Sequence, residues 1–405
     1  MNLSDVARIS GGKLVGKDAE ISSFCSNSKE CSRSSLFFAL KGSKRDGHDF
    51  IPQVYEVGGY AVSERDLDFS PYVKVKNSLQ ALSTLAFYKI KDSFRIAVTG
   101  SCGKTTTKEI IAHLLGKHAR VCKSFENLNT DVGISLSLLN GPDDPLYAVL
   151  EMGARFPGDI AQLSSTFKPH VSVITCVGSS HSKYIDPMVE KSSIVEYTEK
   201  FVLYNEDQGL KKLLGTKGRT LRRHVKSFEY ENFKTIVKVN GKNYALTGIW
   251  GKGQIEDLEF ALTLMDELGM KWDLRDLEDF RFLKGRMNVK RVKKYVIIDD
   301  TYNSSLESFF NSTQTAFKLR ANKTIWILAP MEEMKEDNIS NYLSKIKSSL
   351  NPKAVFTVGK DFYPFGQKYS FQRLSGILED GDLILIKGSR VYAMEKIVEE
   401  IERHL

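Results

Sequence analysis

Between positions 99 and 109 the chain reads Thr-Gly-Ser-Cys-Gly-Lys-Thr-Thr-Thr-Lys-Glu. Gly100 and Gly103 free the backbone to curl, so that the N–H groups of Ser101, Cys102 and their neighbours can face inward on an anion. Lys104 adds a point charge for β- and γ-phosphates, Thr105 a hydroxyl for Mg²⁺, and Thr106 continues the loop into the helix. Ahead of it, residues 94–98 form an apolar run of strand length; behind it, Ile110, Ile111, Leu114 and Leu115 recur at helical spacing. A strand feeding a glycine turn into a helix N-terminus also aims the positive end of the helix dipole at the turn. The general phosphate-loop pattern has a glycine where Val98 stands, so this is a shorter form, Gly-x-x-Gly-Lys-Thr. A solvated Gly/Thr turn is the plain alternative, but strand, lysine, threonine and helix agree on a nucleotide site.

Other chemistry-bearing residues fall at strand ends. The apolar run 146–150 ends in Glu151, a carboxylate where a Mg²⁺ ligand belongs beside a phosphate loop. A third run, 171–177, is followed by Gly178-Ser179-Ser180-His181, which puts an imidazole on the same crevice. Lys191 lies on a stretch of helical spacing, 188–201. Farther on, a strand over 292–298 ends in Asp299-Asp300, followed by Thr301-Tyr302-Asn303, and Lys387-Gly388-Ser389-Arg390 joins a strand to a helix N-terminus that can meet an anion. Each has an ordinary structural reading: a helix-start carboxylate, a core histidine, an αβ turn.

The elements that must position these residues exceed one core, since 405 residues outrun what a single core supports. Residues 1–92 read as one unit, with strand-like pieces at 36–40, 60–62 and 72–75 and a helix over 79–90. Residues 93–280 form a strand–helix–strand unit with a hairpin turning at Asn240-Gly241 and a helix over 255–268 ending at Gly269. Residues 281–405 add a doubly wound sheet, with strands at 324–329, 354–358 and 383–386 and a closing helix over 391–405. The fold class is therefore α/β in three domains: a small α/β unit, a central phosphate-loop unit with a mainly parallel sheet, and a Rossmann-like C-terminal unit.

Composition narrows the function classes. Hydrophobic residues make up 41% of the chain and no apolar run approaches membrane-spanning length, which excludes insertion. The opening Met1-Asn2-Leu3-Ser4-Asp5 lacks a signal peptide's basic and apolar regions, so a cytoplasmic location is expected. Cys25, Cys31, Cys102, Cys122 and Cys176 form no CxxC pair and read as reduced thiols. The net charge of +8 is spread among 50 acidic residues, and the cluster Arg219, Arg222, Arg223, Lys226 carries no aromatic. That argues against nucleic acid and for anionic, phosphate-bearing substrates.

Taken together, these stretches resemble the Mur ligase family, the ATP-dependent amide-forming enzymes of peptidoglycan precursor synthesis. The segment 99–109 is similar to the family's ATP loop in the form typical of its D-alanyl-D-alanine-adding members. Glu151-Met152-Gly153-Ala154-Arg155, Leu283-Lys284-Gly285-Arg286-Met287 and Ile298-Asp299-Asp300-Thr301-Tyr302-Asn303 follow in the family's order. Ser26-Asn27-Ser28-Lys29, Leu36-Phe37-Phe38-Ala39-Leu40-Lys41-Gly42 and Asp46-Gly47-His48-Asp49-Phe50 resemble its UDP-sugar domain.

The resemblance implies an ATP site of Gly100, Ser101, Cys102, Gly103, Lys104, Thr105 and Thr106, with Asp257, Arg286, Asp300, Tyr302 and Asn303 closing on the nucleotide. It implies two Mg²⁺ ions, one on Thr105 and Glu151 and one served by His181 and a carbamylated Lys191, with Lys104, His181 and Lys191 as the catalytic set. Ser28, Lys29, Lys41, Asp46, Gly47 and His48 would hold the substrate UDP-N-acetylmuramoyl-tripeptide, and D-alanyl-D-alanine would be the incoming amine; a monomer is expected. The chain departs from the family's pattern where Lys29 replaces an arginine fork and Gly253 and Asp257 replace adenine-side residues. Two readings remain beside it: a sibling ligase adding lysine, diaminopimelate or glutamate, and a non-catalytic nucleotide-binding regulator.

Overall fold

The computed structural model describes residues 1–178, 186–206, 209–320, 323–331, 339–359 and 365–405. Its architecture is α/β with mainly parallel sheets, as the sequence leads one to expect. The central sheet has six parallel strands in the order Gly218–Thr220, Phe201–Tyr204, Val171–Ile174, Phe94–Thr99, Tyr147–Glu151, Val121–Lys123. The strand Phe94–Thr99 is thus flanked by the strands that end at Glu151 and Ile174, and their C-terminal ends open on one crevice. Its residues Ile96, Ala97 and Val98 are fully buried, which is why the strand reads as a continuous apolar run rather than an alternation.

The first sheet runs Lys13–Val15, Tyr72–Lys74, Tyr60–Ser63, Ser35–Phe38, Ser23–Cys25, parallel except at its Lys13–Val15 edge. The helix Ser78–Lys89 that follows packs against Asp131–Leu139, and Ala81, Leu82 and Leu85 share a core with Ile134 and Leu138. A third sheet is a small antiparallel meander, Val225–Glu231, Lys234–Val239, Lys242–Thr247, whose second turn has Asn240 and Gly241 both left-handed (φ 48° and 79°). That is the conformation an Asn-Gly hairpin turn requires. The last sheet orders Asn288–Val292, Tyr295–Asp300, Leu383–Lys387, Thr324–Leu328, Ala354–Thr357, Gln367–Lys368, parallel apart from its first strand.

Four local expectations need correction. The run over 292–298 is not one strand: Lys293 sits at φ 52° and turns the chain between two antiparallel strands, a left-handed lysine that no glycine announces. The helical stretch 188–201 is one short helix, Pro187–Ser192, followed by a turn of 3₁₀ helix. The closing helix is Glu395–His404, because Ala393 at φ 46° breaks it from the preceding turn. Cys25 and Cys31 are not free thiols but a disulfide, with Cα atoms 6.3 Å apart, because the turn at Ser28–Glu30 folds the chain back on the end of its strand. Cys102, Cys122 and Cys176 are free, as expected.

The meander is fastened to the helix Lys252–Glu267 through His224. Its Nδ1 meets Glu259 at 2.9 Å and its Nε2 meets Asp266 at 2.9 Å, with Arg222 also on Asp266 and Glu267. Burial depresses the His224 pKa, but the hydrogen bonds to Glu259 and Asp266 outweigh it and hold the imidazole above its usual value. The stability this gives is complete below the unfolded value of ~6.5 and fades as pH rises through the higher folded value. Between ~pH 6 and ~pH 9 the native chain should therefore lose about 2 °C more in thermal midpoint than His224→Gln, read by circular dichroism; parallel losses would show that the imidazole is neutral throughout.

Candidate functional site

The loop after Phe94–Thr99 is shaped by what lies beneath it. Gly100 (φ 146°) runs so close to the neighbouring strand's exit that a Cβ would fall 2.1 Å from Thr175 Oγ1. Gly103 (φ 81°) rides on Asp257, where a Cβ would fall 2.3 Å from Oδ1. The Ser101 N–H donates to the Cys176 carbonyl at 2.6 Å and the Thr175 hydroxyl donates to the Cys102 carbonyl, so the turn is tied down on one side. The helix Lys104–Gly116 begins immediately, with Gly103 as its N-cap, and points its dipole into the crevice. Lys104 lies over the loop, its Nζ donating to the Gly100 carbonyl at 2.8 Å.

At the second residue of the helix, the Thr105 hydroxyl donates to Glu151 Oε2 at 2.8 Å. Glu151 is 1% exposed and accepts on its other oxygen from the Asn129 amide at 2.9 Å. A carboxylate this deep must be compensated, and the fully buried Lys108 ammonium stands 4.0 Å away. The donor set, a carboxylate beside a hydroxyl, suits a hard cation. Among the described residues no group of three or more His, Cys, Asp or Glu forms a cage. A cation held by so few protein oxygens completes its shell with water and phosphate, which is the habit of Mg²⁺ rather than of Ca²⁺ or Zn²⁺.

The C-terminal sheet supplies the other wall. Arg286 donates from Nη2 to Thr105 Oγ1 at 3.0 Å while its guanidinium lies 3.6 Å over the Tyr302 ring; Arg390 approaches the same ring at 5.1 Å. Asp300 is held by the Met287 N–H, the Ser312 hydroxyl and the buried Lys387, whose Nζ is 2.6 Å from Oδ2 and 3.0 Å from the Asn303 carbonyl. Together these surfaces enclose a cavity of about 950 Å³.

Ser101, Cys102, Gly103, Lys104, Thr105, Thr106, Glu151, Asp257, Arg286, Asp300, Tyr302 and Asn303 all line that cavity. Asp257 was read as a nucleotide contact; its carboxylate accepts from the Thr107 hydroxyl at 2.9 Å and supports the loop at Gly103. Burial pushes its pKa well above the usual carboxylate range, with the Thr107 hydrogen bond opposing. Lys191 is 1% exposed on Pro187–Ser192 and is not among the lining residues. His181 lies outside the described residues.

The UDP-sugar residues gather elsewhere, at the C-terminal ends of the first sheet's parallel strands. Asp46 accepts from the His48 N–H at 3.0 Å and from its Nδ1 at 2.7 Å, with Arg65 on its second oxygen. The His48 backbone and ring together hold the Asp46 carboxyl down at about 2. The Ser28 hydroxyl donates to Gln53, Lys29 is exposed, the Lys41 backbone pairs with that of Asp46 in an isolated antiparallel β-bridge, and Gly47 is pressed against the Leu40 backbone, where a Cβ would fall 2.6 Å from its nitrogen.

Sequence reasoning passed over Lys108 and Asn129 as site residues, whereas Lys387 and Arg390, from the turn read as able to meet an anion, do line the cavity. Lys108, the second lysine of the 99–109 segment, faces away from solvent on the same helix, and only its three-residue distance from Thr105 hinted at that. Asn129 carried a weaker signal, standing just before Thr130, which caps Asp131–Leu139.

Comparison with known proteins gives one match to a family model, the Mur ligase middle domain, over residues 98–263. Among curated relatives, the chain is 28% identical to the UDP-N-acetylmuramoyl-tripeptide--D-alanyl-D-alanine ligase of Borreliella burgdorferi, covering 90% of this chain and 89% of that one. It is 29% identical to the ligase of the same name from Synechocystis, covering 79% and 75%. Among solved structures it is similar to the MurF ligase of Thermotoga maritima in complex with ADP, with a TM-score of 0.83, 29% identity and coverage of 94% and 97%. The fold also matches MurF from Acinetobacter baumannii (TM-score 0.85, 22% identity, coverage 99% and 98%).

Gly103 offers a direct test of the loop. A side chain forced to φ 81° costs ~1–2 kcal/mol before its contact with Asp257 is counted. Gly103→Ala should therefore bind ADP at least ~10-fold more weakly by calorimetry; native affinity would mean the loop does not cradle phosphate.

Proposed function

We propose that the chain is a Mur ligase that joins D-alanyl-D-alanine to UDP-N-acetylmuramoyl-tripeptide at the expense of ATP. One observation carries the reading: Arg286, from the C-terminal unit, reaches Thr105 on the phosphate-loop helix beside the buried Glu151, so a single 950 Å³ cavity is walled by both units. A ligase that activates a carboxylate with ATP and then admits an amine needs such a shared, enclosed chamber.

The chemistry begins with transfer of the γ-phosphoryl group to the terminal carboxylate of the UDP-sugar peptide. Two anions must approach, and Lys104 supplies the protein's charge along the β- and γ-phosphates. Thr105 and Glu151 would hold Mg²⁺, which supplies Lewis-acid neutralisation of the transferring group when bound. Arg286, stacked on Tyr302, fixes the C-terminal wall against the phosphates, while Asp300 and Lys387 brace that wall from behind. The acyl phosphate is then attacked by the D-alanyl-D-alanine amine, forming the amide bond and releasing phosphate. The rate comes largely from alignment and from exclusion of water.

We assign the UDP-sugar to the Ser28, Lys29, Lys41, Asp46, Gly47 and His48 constellation. The units would be residues 1–92, 93–280 and 281–405. For a second Mg²⁺ we retain His181 and a carbamylated Lys191 on the strength of the sequence resemblance. The enzyme would work in the cytoplasm as a monomer. Among the described residues no helix is long and apolar enough to cross a membrane.

Phosphate release should require both UDP-N-acetylmuramoyl-tripeptide and D-alanyl-D-alanine. Replacement of the dipeptide by lysine, diaminopimelate or glutamate should abolish it, whereas turnover with one of those amines would point to a sibling ligase and slow hydrolysis indifferent to both substrates would point to a regulator. Lys104→Ala should eliminate ligation yet leave UDP-substrate affinity within about twofold, because the two sites are built on separate sheets. Lys191→Ala should lose activity that bicarbonate does not restore and short carboxylic acids partly rescue; full activity without them would remove the carbamate.

A further inference from the structure

Lys108 is fully buried, yet the chemistry above gives it no task. Its ammonium is aimed at the segment that carries Asn127 and Asn129 along the cavity wall. Nζ donates to the Ser124 carbonyl at 2.7 Å and to the Glu126 carbonyl at 2.5 Å, and it lies 3.0 Å from Glu109 Oε1 and 4.0 Å from Glu151 Oε2. Among the described residues it is the one cation within that distance of Glu151.

The same segment is fastened to the Glu151 strand on both sides of the lysine's contacts. The Glu151 N–H donates to the Ser124 hydroxyl at 2.9 Å, and the Ser124 N–H donates to the Val149 carbonyl. The Asn129 amide donates to Glu151 Oε1, and the Gly153 N–H donates to the Asn129 carbonyl. Between these two anchors the chain passes through Glu126 at φ 44°, a left-handed turn that presents its carbonyl to Lys108. The ammonium therefore touches the metal-side carboxylate by charge, and holds the loop whose Ser124 and Asn129 fix that carboxylate's backbone and side chain.

We propose that Lys108 is a positioning residue for Glu151: one buried ammonium sets both the local charge and the loop geometry that aim the carboxylate at the cation. The inference rests on the reading of Thr105 and Glu151 as Mg²⁺ ligands. Lys108 touches neither nucleotide nor reacting atoms, so its effect should appear in cation affinity and not in recognition of the UDP-sugar, which sits on another sheet.

The test uses the full chain with ADP and Mn²⁺ as the probe, with free Mn²⁺ read by electron paramagnetic resonance. Lys108→Met keeps the side chain's length and removes its charge and donors, Lys108→Gln keeps a donor, and Glu151→Gln is the control. Both lysine variants should bind Mn²⁺ on the order of 10-fold more weakly, as expected for loss of a group that orients a metal ligand. The Mg²⁺ concentration for half-maximal turnover should rise in step, and UDP-substrate affinity should stay native. Native Mn²⁺ affinity in either folded lysine variant, while Glu151→Gln loses it, overturns the role of Lys108 alone. Native affinity in Glu151→Gln instead overturns the ligand assignment, and with it the premise. Failure of both lysine variants to fold, seen as loss of the native thermal transition by circular dichroism, would assign Lys108 to the core and equally overturn the proposal.

Discussion

The arrangement depends on the burial of one carboxylate. Glu151 sits at the end of a central strand with 1% of its surface exposed, and an ionised group there is tolerable only if several partners agree on its position. Those partners come from different parts of the chain: Thr105 from the phosphate-loop helix, Asn129 from the following loop, Lys108 from one turn deeper in the helix. Through Thr105 the network extends to Arg286, some 180 residues away in sequence. A group with this many obligations cannot drift. That rigidity is what a cation with strict octahedral preferences demands of a protein ligand.

The loop above it is constrained in the complementary way, by space instead of charge. Gly100 and Gly103 are needed less for flexibility than for what presses on them, Thr175 from one side and Asp257 from the other. Asp257 is a buried acid whose partner is the Thr107 hydroxyl, and burial raises its pKa well above the usual carboxylate range.

The parts legible in the sequence were those set by short-range pattern. The strand before Gly100, the helix after Thr105, the carboxylate at a strand end and the Asn240-Gly241 hairpin each carry their signal within a dozen residues. Most of the nucleotide-site residues named from the sequence do converge on one cavity, because most of them sit at strand C-termini or helix N-termini of two open sheets. What stayed hidden was set by tertiary contact. Nothing local says that Lys293, and not a glycine, turns the chain, or that the Ser28–Glu30 turn carries Cys31 back to Cys25. Lys108 looked like one more charge on a helix. Its inward direction follows only from the position of the 124–126 carbonyls, which no periodicity encodes. Asp257 was placed at the nucleotide by alignment of motifs, while the structure gives it a second task under Gly103.

Why the C-terminal wall should use arginine at 286 follows from the same geometry. The guanidinium has to do two things at once: lie flat on Tyr302 at 3.6 Å and donate edge-on to Thr105 at 3.0 Å. A lysine ammonium can satisfy either contact but has no plane with which to satisfy both. The turn at Gly285 (φ 74°), whose carbonyl accepts from the Tyr302 N–H at 3.1 Å, fixes the backbone from which that side chain departs. The ring is itself held between Arg286 and Arg390, and the Asn303 carbonyl beside it is held by Lys387. The stack lies wholly within the C-terminal unit and fixes where the guanidinium points; the apposition to the central unit is carried by hydrogen bonds, from Arg286 to Thr105, from the Gly253 N–H to Asn311 and from the Asn311 amide to Gln254. A chamber that must exclude water is held in one register by such directional contacts.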